Sequence, residues 1–131
     1  MYRTALKAGA IFGLLAVIQG AFGAHGLRPL LDADKMHVYE TGVTFQFYHC
    51  LALLVAGMLH KSFPNKMMRA ATGFFISGII LFSGSLYLIA FMSLAGANIG
   101  AAGFITPIGG ILLILGWVMM FIGFSTPNRD K

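Results

Sequence analysis

An all-α fold, an integral membrane bundle of four helices with both termini in the cytoplasm, is predicted by three observations. Hydrophobic residues make up 58% of the 131 residues and charged residues only 10%, whereas a soluble domain carries about 25% charged residues. A water-facing surface cannot be covered with so little charge, and the apolar excess goes into lipid. The chain also runs from Ala70 to Asn128 without one Asp, Glu, Lys, Arg or His, and a crossing needs roughly 20 apolar residues. Finally, the basic residues are distributed unevenly between the segments that link the apolar stretches.

The first span is placed at residues 8–27, uncharged from Ala8 to Ala24 and extending to Leu27 before Arg28. Arg3 and Lys7 precede it, as they would a cleaved signal peptide. The length of the apolar part and its poor small-residue cleavage pattern favour a span. The mixed segment from Leu30 to Glu40 holds three acids, and Asp32 or Asp34 suits the cap of a helix leading into span two. Span two is placed at 41–59 and ends before the turn marked by Pro64 and Asn65. Spans three and four are placed at 70–94 and 106–125, separated by the glycine-rich stretch Ala95–Gly103. Thr106 and Pro107 suit the N-cap and first position of the last helix. The whole chain, 1–131, is then a single membrane domain.

Arg3, Lys7, Lys61, Lys66, Arg69, Arg129 and Lys131 fall on one side of these spans, and Arg28 and Lys35 on the other. The excess of basic residues marks the cytoplasmic side. The net charge of +5 is then explained by topology and anionic lipid, and no nucleic-acid partner is expected. A single cysteine, Cys50, excludes an intrachain disulfide. No pair among His25, His37 and His49 has a metal-ligand spacing such as His-x-x-x-His, so no metal site is expected. Cys50 and His49 are neighbours, and neighbours on a helix point about 100° apart. No catalytic pair, and therefore no enzyme, is expected, and nothing calls for a cofactor.

Small residues should line the helix seams. On span one Gly9, Gly13, Ala16, Gly20, Gly23 and Ala24 share one side; on span three Gly73, Ser77 and Gly84 do, with Tyr87 nearby. Gly109, Gly116 and Gly123 recur at heptad spacing on span four. On span two Gly42, Gln46, His49 and Leu53 share a face, with His37, Glu40, Thr44 and Tyr48 roughly opposite. At about 1.5 Å per residue, Gln19, Gln46, His49, Ser83, Ser85 and Tyr87 all lie about 8–12 Å or slightly more below the outer ends of their spans. The inner half is almost wholly aliphatic, aromatic and small. Polar side chains at such depth are costly unless partnered and often mark function. Two accounts fit them: hydrogen bonds between helices, or a polar cavity that opens outward and holds water or a small ligand.

Four segments carry a resemblance. Gln19-Gly20-Ala21-Phe22-Gly23-Ala24-His25-Gly26-Leu27 closes span one. Glu40-Thr41-Gly42 and Gln46-Phe47-Tyr48-His49 enter span two. Leu81-Phe82-Ser83-Gly84-Ser85-Leu86-Tyr87 lies in span three, and Thr106-Pro107-Ile108-Gly109-Gly110 with Gly116-Trp117 in span four. Together they resemble domain-of-unknown-function family 423, the small membrane proteins whose eukaryotic relative is called transmembrane protein 256. Phe45 stands where many members are expected to carry tyrosine. The resemblance implies a four-span, multi-pass protein of the bacterial inner or plasma membrane and supplies no activity. It implies signature positions at Gln19, His25, Gln46, Tyr48, His49, Ser83, Tyr87 and Thr106, and all but Thr106 form the candidate ligand-binding set. The function expected is a non-enzymatic bundle that binds membrane lipid or a small solute in its outer half, or serves as a scaffold. The alternative is an oligomeric channel or transporter for a small solute, ion or proton. Four helices make a thin bundle, so a path would call for a homo-oligomer.

Overall fold

Hydrocarbon offers the backbone no hydrogen-bond partners, so apolar segments of this length close their own helical ladders. The structure, a computed structural model, describes residues 1–127. Four helices follow in order: α1 (Arg3–Phe22), prolonged by one turn of π-helix (Gly23–Leu27), α2 (Ala33–Leu59), α3 (Lys66–Leu94) and α4 (Ala102–Ser125). Each is long and apolar enough to cross a membrane, and the chain is an all-helical, multi-pass membrane protein.

The helix starts show which capping signals operate. Asp32 caps α2, its Oδ1 accepting from the Lys35 N–H at 2.8 Å, and Asn65 caps α3 by accepting from the Met68 N–H at 3.1 Å. The start of α4 differs from the sequence expectation. Thr106 is not its N-cap: the helix begins a turn earlier, after Ala101, just past Gly100 at φ +53°. Pro107 therefore sits inside the helix and leaves only the carbonyl of Gly103 without its helical donor. Gly103 is exposed, and the Thr106 hydroxyl is free for another use.

Each helix packs chiefly on the next in sequence, and no broad contact joins α1 to α4. The α1–α2 seam is the predicted glycine stripe. A Cβ on Gly9 would meet the Cys50 carbonyl oxygen at 2.9 Å, and one on Gly23 the Tyr39 ring at 2.5 Å. Ala24, assigned to that stripe, is exposed instead. The heptad glycines of α4 form the α3–α4 seam: Gly116 admits the Phe75 ring, Gly123 admits Met68, and Gly109 lies against the backbone of Phe82. The stripe assigned to α3 is overturned. Gly73 and Gly84 face outward with nothing near them, and the small residue of α3 that α4 uses is Gly78, under Leu113. Gly73 and Gly78 are five residues apart, which places them on opposite sides of the helix.

One end of the molecule gathers the N-terminus, the α2–α3 turn and the last turn of α4. The Tyr2 N–H donates to the Gly57 carbonyl at 3.0 Å, and Asn65 Nδ2 donates to the Gly123 carbonyl at 2.9 Å. Arg3, Lys7, Lys61, Lys66 and Arg69 belong to this end; Arg129 and Lys131 lie outside the described residues. His60 packs its ring on Tyr2 at 5.4 Å, and its buried Nδ1 finds no partner among the described residues.

Two outcomes test this packing. Gly109→Ala forces its new methyl against the Phe82 backbone and should cost about 1–3 kcal/mol. Gly84→Ala, in open space, should be near neutral; titration into denaturing detergent compares the two. The second outcome concerns pH. Burial first, then the positive charges of Arg69 and the N-terminus, push the His60 pKa below the usual imidazole range. The unfolded chain therefore binds the proton more readily. Stability attributable to His60 is present above about pH 6.5 and is lost as the pH falls below it, and His60→Asn should flatten that limb of the stability–pH curve.

Candidate functional site

Two groups of polar side chains bond to one another between the helices. In the half of α1, α2 and α3 away from the basic end, the Tyr39 hydroxyl lies 2.6 Å from both the Gln19 carbonyl oxygen and Gln19 Oε1, so one proton serves two acceptors. Gln46 Nε2 donates to the Phe12 carbonyl at 2.8 Å, and Gln46 Oε1 accepts from the Tyr87 hydroxyl at 2.7 Å. The Tyr39 and Tyr87 rings are 5.2 Å apart. Tyr87 reaches this position because Gly42 has no side chain: a Cβ there would come within 2.9 Å of the ring. The Gly42 carbonyl in turn accepts from Ser83 Oγ at 2.7 Å. A cleft of about 260 Å³, lined by Gly20, Arg28, Tyr39 and Glu40 among others, opens beside this group between α1 and α2. A second cleft of about 210 Å³ opens between α1 and α3, with Gln19, Gln46 and Tyr87 in its wall.

The second group lies on the other side of α3. His49 Nδ1 is 2.6 Å from the Phe45 carbonyl, and Trp117 Nε1–H donates to His49 Nε2 at 3.0 Å. A ring nitrogen that accepts from an indole N–H carries no proton, so these two bonds define the neutral imidazole with its hydrogen on Nδ1. His49 and Trp117 form the floor of a groove of about 690 Å³ between α2 and α4, walled by Phe45, Tyr48, Leu51, Phe82, Leu113 and Ile114. Higher up, Ser85 Oγ and Thr106 Oγ1 pair at 2.5 Å across α3 and α4, which is the use that Thr106 finds away from the helix start.

Of the seven residues assigned to a ligand set, the fold joins Gln19, Gln46 and Tyr87 in one network. Ser83 sits beside it on Gly42. His49 belongs to the separate groove, and Tyr48, 58% exposed, lies on its rim. His25 is exposed on the π-helical turn, away from both groups. Tyr39 and Trp117 were missed. Tyr39 falls on the face of Gln46 at seven residues' spacing, a signal that was present. The partnership of Trp117 with His49 links positions far apart in the chain, and no spacing announces it. Cys50 turns toward α1, 3.4 Å from where a Cβ of Gly13 would lie, while His49 turns toward α4. Among the described residues no three His, Cys, Asp or Glu side chains gather as a metal site would require.

Residues 19–110 match the model of a family described as a protein of unknown function, DUF423. A UPF0382 membrane protein of Staphylococcus saprophyticus is 43% identical, covering 88% of this chain and 91% of its own length. UPF0382 membrane protein SAB0533 of Staphylococcus aureus is 42% identical over 87% and 88%. The UPF0382 inner membrane protein YgdD of Escherichia coli is 34% identical over 87% and 83%. No solved structure matches the chain.

The network of Gln46 and Tyr87 makes a measurable prediction. Gln46→Leu strands the Tyr87 hydroxyl in an apolar interior, which should cost about 1–3 kcal/mol. Adding Tyr87→Phe should recover part of that loss, so a double-mutant cycle in detergent should return a coupling energy well away from zero.

Proposed function

The chain belongs to the DUF423 family of UPF0382 membrane proteins, and on that premise we propose that it holds an apolar chain, of a membrane lipid or a lipid-like solute, in the groove between α2 and α4. The groove itself carries this reading. At about 690 Å³ it is within the usual range of small-molecule sites, about 300–1,000 Å³, which are largely apolar with few polar groups. Its walls are aromatic and aliphatic, the two polar groups on its floor, His49 and Trp117, satisfy each other, and the Tyr48 hydroxyl stands at the rim. Such a floor offers an incoming molecule surface to pack against and little to bond to, which suits a hydrocarbon chain better than a solute rich in polar groups.

The same bonds favour a non-enzymatic role. Both nitrogens of His49 are engaged and Cys50 faces another helix, so no base stands beside a nucleophile there. Transport through the protein draws less support. Toward the basic end the core is Ala5, Leu53, Ala56, Met68, Ala71, Phe75 and Met120, and the buried Thr72 hydroxyl turns back to the Met68 carbonyl at 3.3 Å. A hydrated path would need polar groups through this layer. The basic end faces the cytoplasm in this reading, and the groove lies near the middle of the bilayer.

Native mass spectrometry of the protein released from lipid nanodiscs tests the proposal. The unaltered chain should retain a molecule bearing an apolar chain. Gly110→Leu projects into open groove space, since a Cβ there meets only the Phe82 ring edge at 3.7 Å. It should lower retention about ten-fold, a change of about 1.4 kcal/mol, in a protein that keeps its helical circular dichroism. Equal retention by the two proteins, or a bare spectrum from both, would sink the reading.

A further inference from the structure

We propose that α2 pairs with α2 of a second copy of this chain, in the same membrane orientation, along a seam that no helix of the single chain covers. The inference goes beyond the groove reading and does not depend on it, although Tyr48 and Leu51 border both the seam and the groove. The exposed side of α2 carries His37, Thr41, Thr44 and Tyr48, continued by Leu51, Val55 and Met58. These positions alternate by four and three residues along nearly the whole helix. That is the spacing of a left-handed helix pair, and all seven are exposed or half-exposed.

The seam is unlike the rest of the lipid-facing surface. α1 presents Ile11, Leu14 and Ile18, and α4 presents Ile108, Ile111 and Phe121, all suited to hydrocarbon. The outer half of the α2 seam presents hydroxyls. Thr41 satisfies its own by donating to the His37 carbonyl at 2.9 Å. Thr44 and Tyr48 find no hydrogen-bond partner among the described residues. Tyr48 lies two turns beyond Glu40, about 12 Å deeper along the helix. At that depth lipid headgroups are out of reach, and an unpaired polar group in hydrocarbon is costly.

The occupant that supplies the missing partners is the chain itself. In a parallel two-fold pair each seam residue meets its counterpart at the same depth, so the polar half meets the polar half and the apolar half the apolar half. A hydroxyl both donates and accepts, so threonine against threonine and tyrosine against tyrosine are complementary pairs. At the outer end Glu40 flanks the seam with its charge already held by Arg28 at 2.7 Å. No unpaired carboxylate is therefore buried when the copies meet.

Disulfide cross-linking in native membranes tests the pairing. In a Cys50→Ala background, single cysteines at Thr44, Leu51 and Val55 should give covalent dimers under copper-phenanthroline oxidation. Cysteines at Phe47, on the flank of α2, at Gly84 on α3 and at Ile111 on α4 should give several-fold less. The unaltered chain should appear as two copies in native mass spectrometry. Tyr48→Phe should weaken association in vesicles about three-fold, the usual effect of losing one interhelical hydrogen bond in a membrane. Cross-linking strongest at Gly84, a flat profile along α2, or a single copy carrying a small amphiphile would overturn the proposal. Because Gly110→Leu alters the groove and leaves the seam intact, dimers that persist in that variant separate this inference from the groove reading.

Discussion

The half of the molecule away from the basic end depends on the Tyr87 ring lying directly on the backbone of Gly42. That contact exists only because residue 42 has no side chain. It brings the Tyr87 hydroxyl to Gln46 Oε1 and leaves the Gly42 carbonyl open to Ser83. Gln46 then has its remaining amide free for the Phe12 carbonyl, which ties in α1. Three helices are joined by side chains that would be a liability in hydrocarbon if any one of them were missing. Any larger residue at position 42 would push α2 and α3 apart and strand four polar groups together.

On the other side of α3 a different economy operates. Glycines at heptad spacing let α4 lie close on Phe75, Phe82 and Met68, and the polar bonds of Gly123, Thr106 and Trp117 add to that packing. Because its broad contact is with α3, a gap remains between it and α2, crossed by the Trp117–His49 bond. The aromatic residues around that gap meet the His49 ring, with Phe75 at 5.6 Å and Trp117 at 5.9 Å. The groove thus follows from the order in which the helices pack, and its polar floor is neutralised by the one bond that crosses it.

Much of this was legible in the amino-acid sequence, for a physical reason. Hydrocarbon imposes length and polarity so strongly that four apolar stretches translate directly into four helices. Helical periodicity likewise identified which residues of α2 share a face: Gly42, Gln46, His49 and Leu53 are all buried, while His37, Thr44 and Tyr48 are exposed. Periodicity reports faces of one helix; it does not say which neighbour meets a face. For that reason Gly73 and Gly84 were assigned to a seam that passes on the other side of α3. The bond between His49 and Trp117 stayed invisible for the same reason. Thr106 was misread because a threonine before a proline fits a helix start equally well as a hydroxyl one turn inside.

Asn65 shows what an uncharged side chain achieves at a helix junction. Its side-chain oxygen receives the Met68 N–H in the first turn of α3 while its nitrogen holds the Gly123 carbonyl near the end of α4. A single amide thus bridges the positive pole of one helix dipole and the negative pole of the next. Carrying no charge, the clamp is indifferent to acid and to ionic strength. An aspartate in its place would still serve α3 but would turn a second acceptor toward the carbonyl of Gly123, and the two helix ends would repel where they now hold together.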